Sequence, residues 1–475
     1  MAPRNPVPSL SYLCLKLISN QLIHALSDDD GKYYEVVSKY LAEATYEVLQ
    51  DLMKIILNSV NLDASIRLSS LKLLLREDVE KLETGMFPQF YYEKILDIII
   101  AQGKNLKHLN LKGVWLQDFP GKLSVLIRRL GNLESLLIPH MANDEVIDAI
   151  VTLRKISVLD ICGEACYSVS GMKKLRSETL RVLDVGNFGK VCLCSEESSG
   201  FDLIAEVIMN LPNLSALRTY SYTGNALLTI NNEFPCFKTK LKYLRDTSTT
   251  VEIIEAISQL CPNLENLYLD SPEPGVVEKL VKLRKLNSLK LTKCNVPELL
   301  TFLRVSGAQL QVLKLNHNKN TPLDLSEICL HAPNLTTLEC FQMKLTFTNS
   351  ETYFMGLQNV ELLYCDMSDE VTKFVLRNSP FLKRIVIGCL INMTDGDIFR
   401  LCAECEFSNL EVILFSYAKS LTIIAVELLI GHCPNLKVMG QLSSWDIHPE
   451  EIDYLRGVIS STNTDVRLLI TENIT

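Results

Sequence analysis

One pair of cysteines in the chain has the spacing of metal ligands, Cys402-Ala403-Glu404-Cys405. A structural zinc site takes a second pair of Cys or His ligands nearby, and the sequence supplies none. Cys192 and Cys194 adjoin the stretch CSEESSG (194–200), whose Ser and Glu content is typical of a loop and not of a redox-active pair. We therefore predict no metal site, and we expect Cys402 and Cys405 to be ordinary thiols of a helix.

Histidine is the side chain best suited to acid–base catalysis near neutral pH, and here its seven copies are isolated from one another. The sequence has no HExxH motif, no nucleophile elbow and no glycine-rich phosphate loop. It therefore predicts no catalytic residues, no cofactor and no enzymatic activity. The histidines are His24, His108, His140, His317, His331, His432 and His448.

The elements that position these residues repeat one apolar pattern, LxxLxL, fourteen times. Examples are NLKHLNL (105–111), NLENLYL (263–269) and NLEVILF (409–415). The first apolar positions of the copies are 106, 133, 156, 180, 214, 241, 264, 286, 310, 335, 360, 382, 410 and 436. Their spacing of about 25 residues is the period of a leucine-rich repeat.

Each LxxLxL segment alternates apolar and polar residues as a short strand does. One unit cannot bury its apolar edge alone, so neighbouring units must stack, with parallel strands on a concave face and helical returns on a convex face. PNL and CPNL segments interrupt the helices just before the next strand. The predicted fold is therefore an α/β leucine-rich-repeat solenoid, which resembles the cysteine-containing subtype found in substrate receptors of ubiquitin ligases.

The composition predicts a folded intracellular protein, cytoplasmic or nuclear or both. Apolar residues make up 47% of the chain, and the net charge of -9 disfavours broad binding to nucleic acid or anionic membranes. The first ten residues lack the features of a signal peptide, and no apolar run of 18 residues occurs. We therefore expect the sequons at Asn213, Asn334 and Asn392 to stay unmodified.

The fifteen cysteines are scattered along the chain, and many occupy repeat positions. Cys340 and Cys365 replace the third leucine of the strand pattern, while Cys261 and Cys433 precede the PNL segment. We interpret the cysteines as buried, reduced thiols that pack as small apolar side chains.

A second pattern, SLSYLCLKLI (9–18), precedes the repeats, with Pro8 and Ser9 forming a helix start. It resembles the BC-box, with which receptors of ubiquitin ligases insert a helix into a groove of elongin C, bound in turn to elongin B. The resemblance implies an anchoring leucine, a small residue one turn later and a distal aliphatic contact. The implied adaptor-binding residues are Leu10, Leu13, Cys14, Leu17 and Ile18. The alternative is that residues 9–26 pack their apolar stripe onto the first repeat as a cap.

The order of BC-box and repeats resembles the Zyg and Zer receptors of elongin–cullin ligases, in which a cullin-contacting helix follows the box. The counterpart here is YLAEATYEVLQDLMKIIL (40–57), with Ala42 where the family has proline. The resemblance implies an exposed cullin-binding stripe of Leu41, Val48, Leu49 and Leu52. An alternative is an F-box-like receptor that contacts a Skp adaptor through residues 38–75, although the usual Leu-Pro opening and later tryptophan of that motif are absent.

We expect four segments along the chain: a helical region (1–65), a cap with an irregular first repeat (66–104), the solenoid (105–440) and a closing segment (441–475). In IRLSSLKL (66–73), Leu68, Leu71 and Leu73 suggest an irregular first strand. In the closing segment, PEEIDYLRGVI (449–459) has the pattern of a helix.

A protein client is expected on the concave face, where the residues beside the second leucine of each repeat point outward. The later of these positions forms a basic strip with aromatics, suited to an acidic or phosphorylated peptide. The alternative is a solvated strand face without a ligand. The expected client-binding residues are Arg218, Tyr243, Arg245, Tyr268, Lys290, Lys314 and Tyr364.

Three hypotheses for function follow. The first is a non-enzymatic substrate receptor that recruits elongin B and elongin C, with a cullin, to a client. The second is a leucine-rich-repeat scaffold or inhibitor without an adaptor. The third is an enzyme whose catalytic groups converge across the concave face, which no motif in the sequence calls for.

Overall fold

The computed structural model describes residues 4, 6–27, 33–59, 61–163, 166–186, 200–219 and 223–470. Cys192 and Cys194 lie outside these residues. The chain divides into two compact units. The N-terminal unit comprises residues 8–245 and 259–261, and the C-terminal unit comprises residues 246–258 and 262–475 with residues 1–7.

The leucines of each LxxLxL copy form the core of their unit. In NLENLYL, Leu264, Leu267 and Leu269 are at most 2% exposed, whereas Asn266 and Tyr268 between them are half-buried. A strand sends successive side chains to opposite faces of its sheet, so the leucines pack against the helices and the residues between them lie on the other face. We call this second face the strand face.

The strands pair in parallel and in chain order within each unit. All fourteen predicted copies form strands, which confirms the predicted α/β leucine-rich-repeat fold. Pairing connects β1 through β7 and, in the C-terminal unit, β8 through β16. The strands are β1 Lys81–Glu83, β2 His108–Asn110, β3 Ser135–Leu137, β4 Val158–Asp160, β5 Val182–Gly186, β6 Ala216–Thr219, β7 Tyr243–Thr247, β8 Asn266–Asp270, β9 Ser288–Thr292, β10 Val312–Asp324, β11 Thr337–Thr346, β12 Asn359–Leu363, β13 Arg384–Gly388, β14 Val412–Phe415, β15 Val438–Gly440 and β16 Arg467–Leu469.

Helices return the chain between most strands, and four more precede the first strand. As predicted, helices end just before the CPNL segments at Cys261 and Cys433. The predicted helix over 449–459 is also present. The helices are α1 Leu10–Leu26, α2 Tyr34–Ala42, α3 Tyr46–Leu57, α4 Ala64–Leu74, α5 Tyr92–Gln102, α6 Pro120–Arg129, α7 Asp144–Ile150, α8 Val169–Lys173, α9 Gly200–Asn210, α10 Thr223–Glu233, α11 Val251–Leu260, α12 Val276–Lys279, α13 Val296–Ser306, α14 Leu325–His331, α15 Asp369–Arg377, α16 Asp395–Glu404, α17 Ile423–His432 and α18 Pro449–Ser461.

Side-chain amides join neighbouring repeats within each unit. An asparagine stands just before the first leucine of several copies, and its amide N–H donates to a backbone carbonyl of the preceding repeat. The distances are 2.7 Å from Asn213 to Glu178, 2.7 Å from Asn334 to Ala308 and 2.6 Å from Asn435 to Ser408. These bonds give the recurring Asn-Leu dipeptide a structural role, because they satisfy a carbonyl that the short strands leave free.

The expected irregular strand at 66–73 is wrong, because these residues belong to helix α4. Asp63 caps this helix by accepting a hydrogen bond from the backbone N–H of Ser65 at 2.7 Å. The first strand is instead β1, where Val79, Leu82 and Thr84 take the three inward positions. Because Thr84 stands in place of the third leucine, this repeat does not match the LxxLxL pattern in the sequence.

The repeat whose first apolar position was assigned to residue 360 begins three residues earlier. Leu338 pairs with Val360 and Cys340 with Leu362, so the first leucine of this repeat is Leu357. The third position therefore belongs to Leu362 and not to Cys365. The sequence LQNVELLYC fits the pattern in two registers, and the buried side chains of Leu357, Val360 and Leu362 select the first.

No helix within the described ranges is both long and apolar enough to span a membrane.

Candidate partner-binding surfaces

Helix α1 begins where the sequence predicts. Ser9 is its N-cap, and the Ser9 hydroxyl accepts a hydrogen bond from the backbone N–H of Tyr12 at 3.1 Å. The helix packs on α2, α3 and α4 of the N-terminal unit. Its buried residues are Ser19 and Leu22. The fully buried contacts of α1 therefore come from the second half of the helix, and Leu15 in the first half is half-buried.

The first half of α1 carries apolar side chains that its unit leaves exposed. Leu10 is 77% exposed, Leu17 is 62% exposed, and Leu13, Cys14 and Ile18 are exposed as well. At about 100° per residue, Leu10, Leu13, Cys14 and Leu17 fall within an arc of about 100°, opposite the side on which Ser19 and Leu22 lie. We call Leu10, Leu13, Cys14, Leu17 and Ile18 the α1 stripe.

The α1 stripe bears on the two hypotheses for residues 9–26. A cap would bury these side chains against the first repeat, and the structure buries only the opposite side of the helix near its end. The capping hypothesis is therefore wrong for the five residues of the α1 stripe. A helix that is apolar on two sides, with one side packed and the other exposed, has the form of a peptide-in-groove ligand.

Helix α3 does not present the stripe expected for cullin binding. Leu49 and Leu52 are fully buried and Leu41, at the end of α2, is 9% exposed, while Val48 is half-buried. Helix α3 packs against α1, α4 and β1, so its apolar side covers the start of the sheet. The expectation of an exposed stripe at these four residues is wrong.

The expected client residues of the N-terminal unit are Arg218, Tyr243 and Arg245, which lie on its strand face. The guanidinium of Arg218 is 3.9 Å from the carboxylate of Asp184 on the neighbouring strand. Tyr243 and Arg245 are half-buried. The positive charge of Arg218 is therefore partly balanced within the chain.

An acidic cluster lies beside Arg218 on the same strand face. Among the described residues, Asp160, Cys162 and Asp184 form a group whose possible ligand atoms all lie within 4.8 Å of one another. Lys112 contacts the Asp160 carboxylate at 2.9 Å. Burial and the Asp160 charge raise the pKa of Cys162 to about 12, and burial together with that charge raises the pKa of Asp184. The raised pKa favours the protonated thiol of Cys162, and Lys112 partly balances the charge of the cluster through Asp160.

The expected client residues of the C-terminal unit include three that share one row. Tyr268, Lys290 and Lys314 occupy equivalent positions on β8, β9 and β10. The ammonium of Lys290 lies 4.5 Å from the centre of the Tyr268 ring, within the range of a cation–π contact. Lys314 instead forms an ion pair with Glu339 of β11 at 2.8 Å. The expected continuous basic strip is therefore interrupted at Lys314.

Tyr364 does not belong to this row, which is a correction that follows from the register of β12. Glu361 takes the equivalent position, and Tyr364 follows the end of the strand with a φ of 53°. Tyr364 is 56% exposed, and the centre of its ring lies 5.5 Å from the centre of the Phe341 ring in an edge-to-face arrangement. Tyr364 thus lies at the rim of the sheet. The Lys314–Glu339 pair and the pair of Arg384 with Glu361 at 2.9 Å were missed, because each joins residues more than 20 positions apart.

The described cysteines divide into three groups by exposure, and Cys162, Cys365 and Cys405 are half-buried. Cys402 lies in α16 and is buried, and burial raises its pKa to about 11. The expectation of buried thiols holds for seven of the thirteen described cysteines and is wrong for three exposed ones. The buried ones are Cys261, Cys294, Cys329, Cys340, Cys389, Cys402 and Cys433, and the exposed ones are Cys14, Cys166 and Cys236.

The chain matches no protein-family model and no curated protein. Solved structures similar to it include the crystal structure of an internalin of Listeria monocytogenes, with 14% identity, a TM-score of 0.42 and coverage of 76% of this chain and 94% of that chain. A chain from the crystal structure of the Rad7 and Elc1 complex in yeast has 14% identity, a TM-score of 0.44 and coverage of 92% and 93%, respectively. The leucine-rich-repeat protein LIC12759 of Leptospira interrogans has 16% identity, a TM-score of 0.38 and coverage of 88% and 98%. At these low identities and TM-scores, the likenesses carry no inference about partners.

Proposed function

We propose that this protein is a non-enzymatic, intracellular interaction subunit that recognises substrates for an elongin BC–cullin–RING ubiquitin ligase. In this proposal the α1 stripe binds elongin C, elongin B joins through elongin C, and the strand face holds the client. The catalytic steps belong to other subunits, and this chain supplies proximity and orientation. The cullin remains part of the proposal without assigned residues, because the stripe expected to bind it is buried in α2 and α3.

The exposure of the α1 stripe is the observation that carries the proposal. Five apolar side chains at i, i+3, i+4, i+7 and i+8 form one continuous surface on a capped helix. Burial of one leucine side chain contributes about 2 kcal/mol, or roughly a 30-fold change in affinity. A groove that covers Leu10 and Leu17 therefore gains a substantial driving force without any rearrangement of the helix.

The resemblance to the BC-box supplies the identity of the partner. In that motif the residue one turn after the anchoring leucine is small, so that the helix backbone lies close to the groove. Cys14 meets this requirement and is exposed. The proposal therefore assigns Leu10 as the anchor, Cys14 as the close-packing residue and Ile18 as the distal contact.

The test is co-expression of the full chain with elongin B and elongin C, followed by size-exclusion chromatography. The double variant Leu10→Lys/Cys14→Lys should lose the ternary complex and keep its melting temperature, because both side chains are exposed. Tyr12→Lys is the matched control, since Tyr12 is 54% exposed on the same helix but lies away from the stripe. This control should keep the complex.

Two outcomes would overturn the proposal. If the native chain is folded and forms no complex, the elongin-linked ligase role is rejected, and an interaction scaffold or the F-box-like alternative remains. A complex that survives in the folded double variant would show that the adaptor binds elsewhere. Substitution of a Skp adaptor for the elongins in the same experiment tests the F-box-like alternative.

A further inference from the structure

The strand face of the C-terminal unit changes character along one row of residues. The row consists of the residue between the second and third inward positions of each repeat, and the strand pairing places its members side by side. We call it the central row. Its members are Tyr268, Lys290, Lys314, Glu339, Glu361, Val386, Leu414, Gly440 and Leu469.

The beginning of the central row offers a cation to a ligand. Within the described residues, no carboxylate lies within ion-pair distance of Lys290. Its contact is the face of the Tyr268 ring, which leaves the ammonium able to accept an anionic partner. An acidic side chain bound here would gain both the charge of Lys290 and the edge of an aromatic residue.

The middle of the row is electrically balanced. Lys314 pairs with Glu339, and Glu361 pairs with Arg384 on the next strand. Each of these four side chains is about one quarter to two fifths exposed, so water screens the pairs and little attraction remains for a further charge. A ligand that lies across these ion pairs therefore needs no charged residue at this place.

The end of the row is apolar. Val412, Leu414 and Val438 are half-buried on the strand face, as is Leu469 of the last strand. Positions equivalent to these carry Asn266, Ser288 and Lys290 on β8 and β9. Val312 of β10 is also apolar, but several apolar residues adjoin one another only on the last strands among the described residues of this unit. This half-buried group is the apolar floor.

One glycine shapes the apolar floor. A Cβ atom added at Gly440 would lie 2.8 Å from Cδ2 of Leu414 and 2.8 Å from Cβ of Leu469. The side chains of Leu414 and Leu469 therefore pack against Gly440, which leaves no room there for a side chain.

The distance between the two ends sets the spacing in a ligand. Lys290 on β9 and Leu414 on β14 are five strands apart in register, and neighbouring strands lie about 4.8 Å apart, which gives about 24 Å. An extended peptide advances about 3.3 Å per residue, so about seven residues cover this distance.

We propose that the C-terminal unit binds an extended peptide segment with a carboxylate side chain at Lys290 and an aliphatic side chain about seven residues away on the apolar floor. This rests on the client-binding half of the proposed function and gives the client its chemistry. The ion-paired middle of the row tolerates most uncharged residues between the two anchors. Specificity thus comes from two chemical groups and the distance between them.

The test is selection of random 12-residue peptides, displayed on phage, against the immobilised full chain. Peptides enriched on the native protein should contain Asp or Glu and an aliphatic residue six to eight positions apart in one order. Selection on Lys290→Glu should lose the acidic residue and keep the aliphatic one, and selection on Leu414→Ser should do the reverse. Lys282→Glu, which changes the same charge on the helix side beside Glu255, should select the native pattern.

Labelled synthetic peptides then measure the effect in solution by fluorescence anisotropy. Lys290→Glu should weaken an enriched peptide at least roughly tenfold and strengthen its Glu→Lys counterpart, since complementary charges steer such contacts. Melting curves show that each variant is folded. Peptides that keep their acidic residue on Lys290→Glu, or no enrichment on the native chain, overturn the inference.

The same peptide selection on the Leu10→Lys/Cys14→Lys variant distinguishes a failure of peptide binding from a failure of elongin binding. If elongins fail to bind but the peptide pattern persists, only the ligase part of the proposed function fails. If elongins bind and no peptide is enriched, the client surface proposed here is wrong and the adaptor assignment is unaffected.

Discussion

Helices α1 and α3 of the N-terminal unit have similar apolar patterns, but α1 exposes its stripe and α3 buries it. The sequence predicts a partner-binding stripe on each. In α1 the stripe from Leu10 to Ile18 is exposed, whereas in α3 Leu49 and Leu52 are fully buried. An apolar stripe in the sequence therefore predicts burial, and the tertiary structure decides whether the same chain or a partner buries it.

The difference arises from what each helix must cover. The first strand of a parallel sheet exposes one edge and one end of the core, and α3 packs there against β1 and α4. Because α3 and α4 already close this end, α1 buries only one side of the helix, on which Leu15 and Leu22 lie. The stripe on its first half is left for a partner.

The largest expected effect is on stability. Leu52→Ala in α3 should lower the free energy of unfolding of the N-terminal unit by about 2–5 kcal/mol, since it leaves a cavity in a packed core. Leu17→Ala in α1 should change it by less than about 0.5 kcal/mol, because Leu17 is largely exposed. Urea unfolding followed by Trp115 fluorescence measures this, in a Trp445→Phe background that leaves one tryptophan. Equal destabilisation by both substitutions would mean that the α1 stripe is covered in solution.

A smaller effect should appear in alkaline solution, where buried thiols separate from exposed ones. Burial raises the pKa of Cys433 to about 12 from an ordinary value of 9.0, and that of Cys294 likewise to about 12. A group whose pKa is raised on folding stabilises the fold below its unfolded pKa, and this contribution is lost as pH rises toward the folded value. Stability should therefore be constant up to about pH 9 and decrease from there toward pH 12.

Urea midpoints measured between pH 8 and pH 11 test the alkaline decrease. Cys433→Ala should flatten the decrease, whereas Cys14→Ser, at an exposed position, should leave its slope unchanged. The same slope in all three proteins would contradict the assignment to buried thiols.

The smallest effect is the loss of a single chemical label. Brief treatment of the native chain with N-ethylmaleimide should modify Cys14 rapidly, because it lies on the exposed stripe, and should leave Cys261 and Cys433 intact. Intact-mass spectrometry should show one fast label fewer in Cys14→Ser. An unchanged number of fast labels would place Cys14 in a covered environment and remove the contrast between α1 and α3.

The repeated pattern was sufficient to place fourteen strands, because three inward leucines per repeat are a strong signal. The two outer strands escaped it for a physical reason. In β1 the third inward position holds Thr84, which is fully buried, and in the last repeat the first position holds Asp465. Strands at the end of a sheet have one neighbour fewer, so their inward positions tolerate polar residues.

The surfaces were less predictable than the fold. Exposure of the α1 stripe depends on how far α1 overlaps α3 and α4, which no local pattern encodes. On the strand face, the correct alignment of one repeat decides whether Glu361 or Tyr364 stands beside Glu339. Ion pairs such as Lys314–Glu339 become visible in the sequence only when the repeats are aligned in the register that the buried leucines impose.

The asparagines that join neighbouring repeats make each of these contacts depend on one N–H donor. Conversion of Asn334 to Asp would replace an amide that donates to the carbonyl of Ala308 with a carboxylate of nearly the same size. A carboxylate cannot donate, so two oxygens would face each other and repel. Loss of a single amide nitrogen would thus weaken the contact between two repeats without altering a leucine.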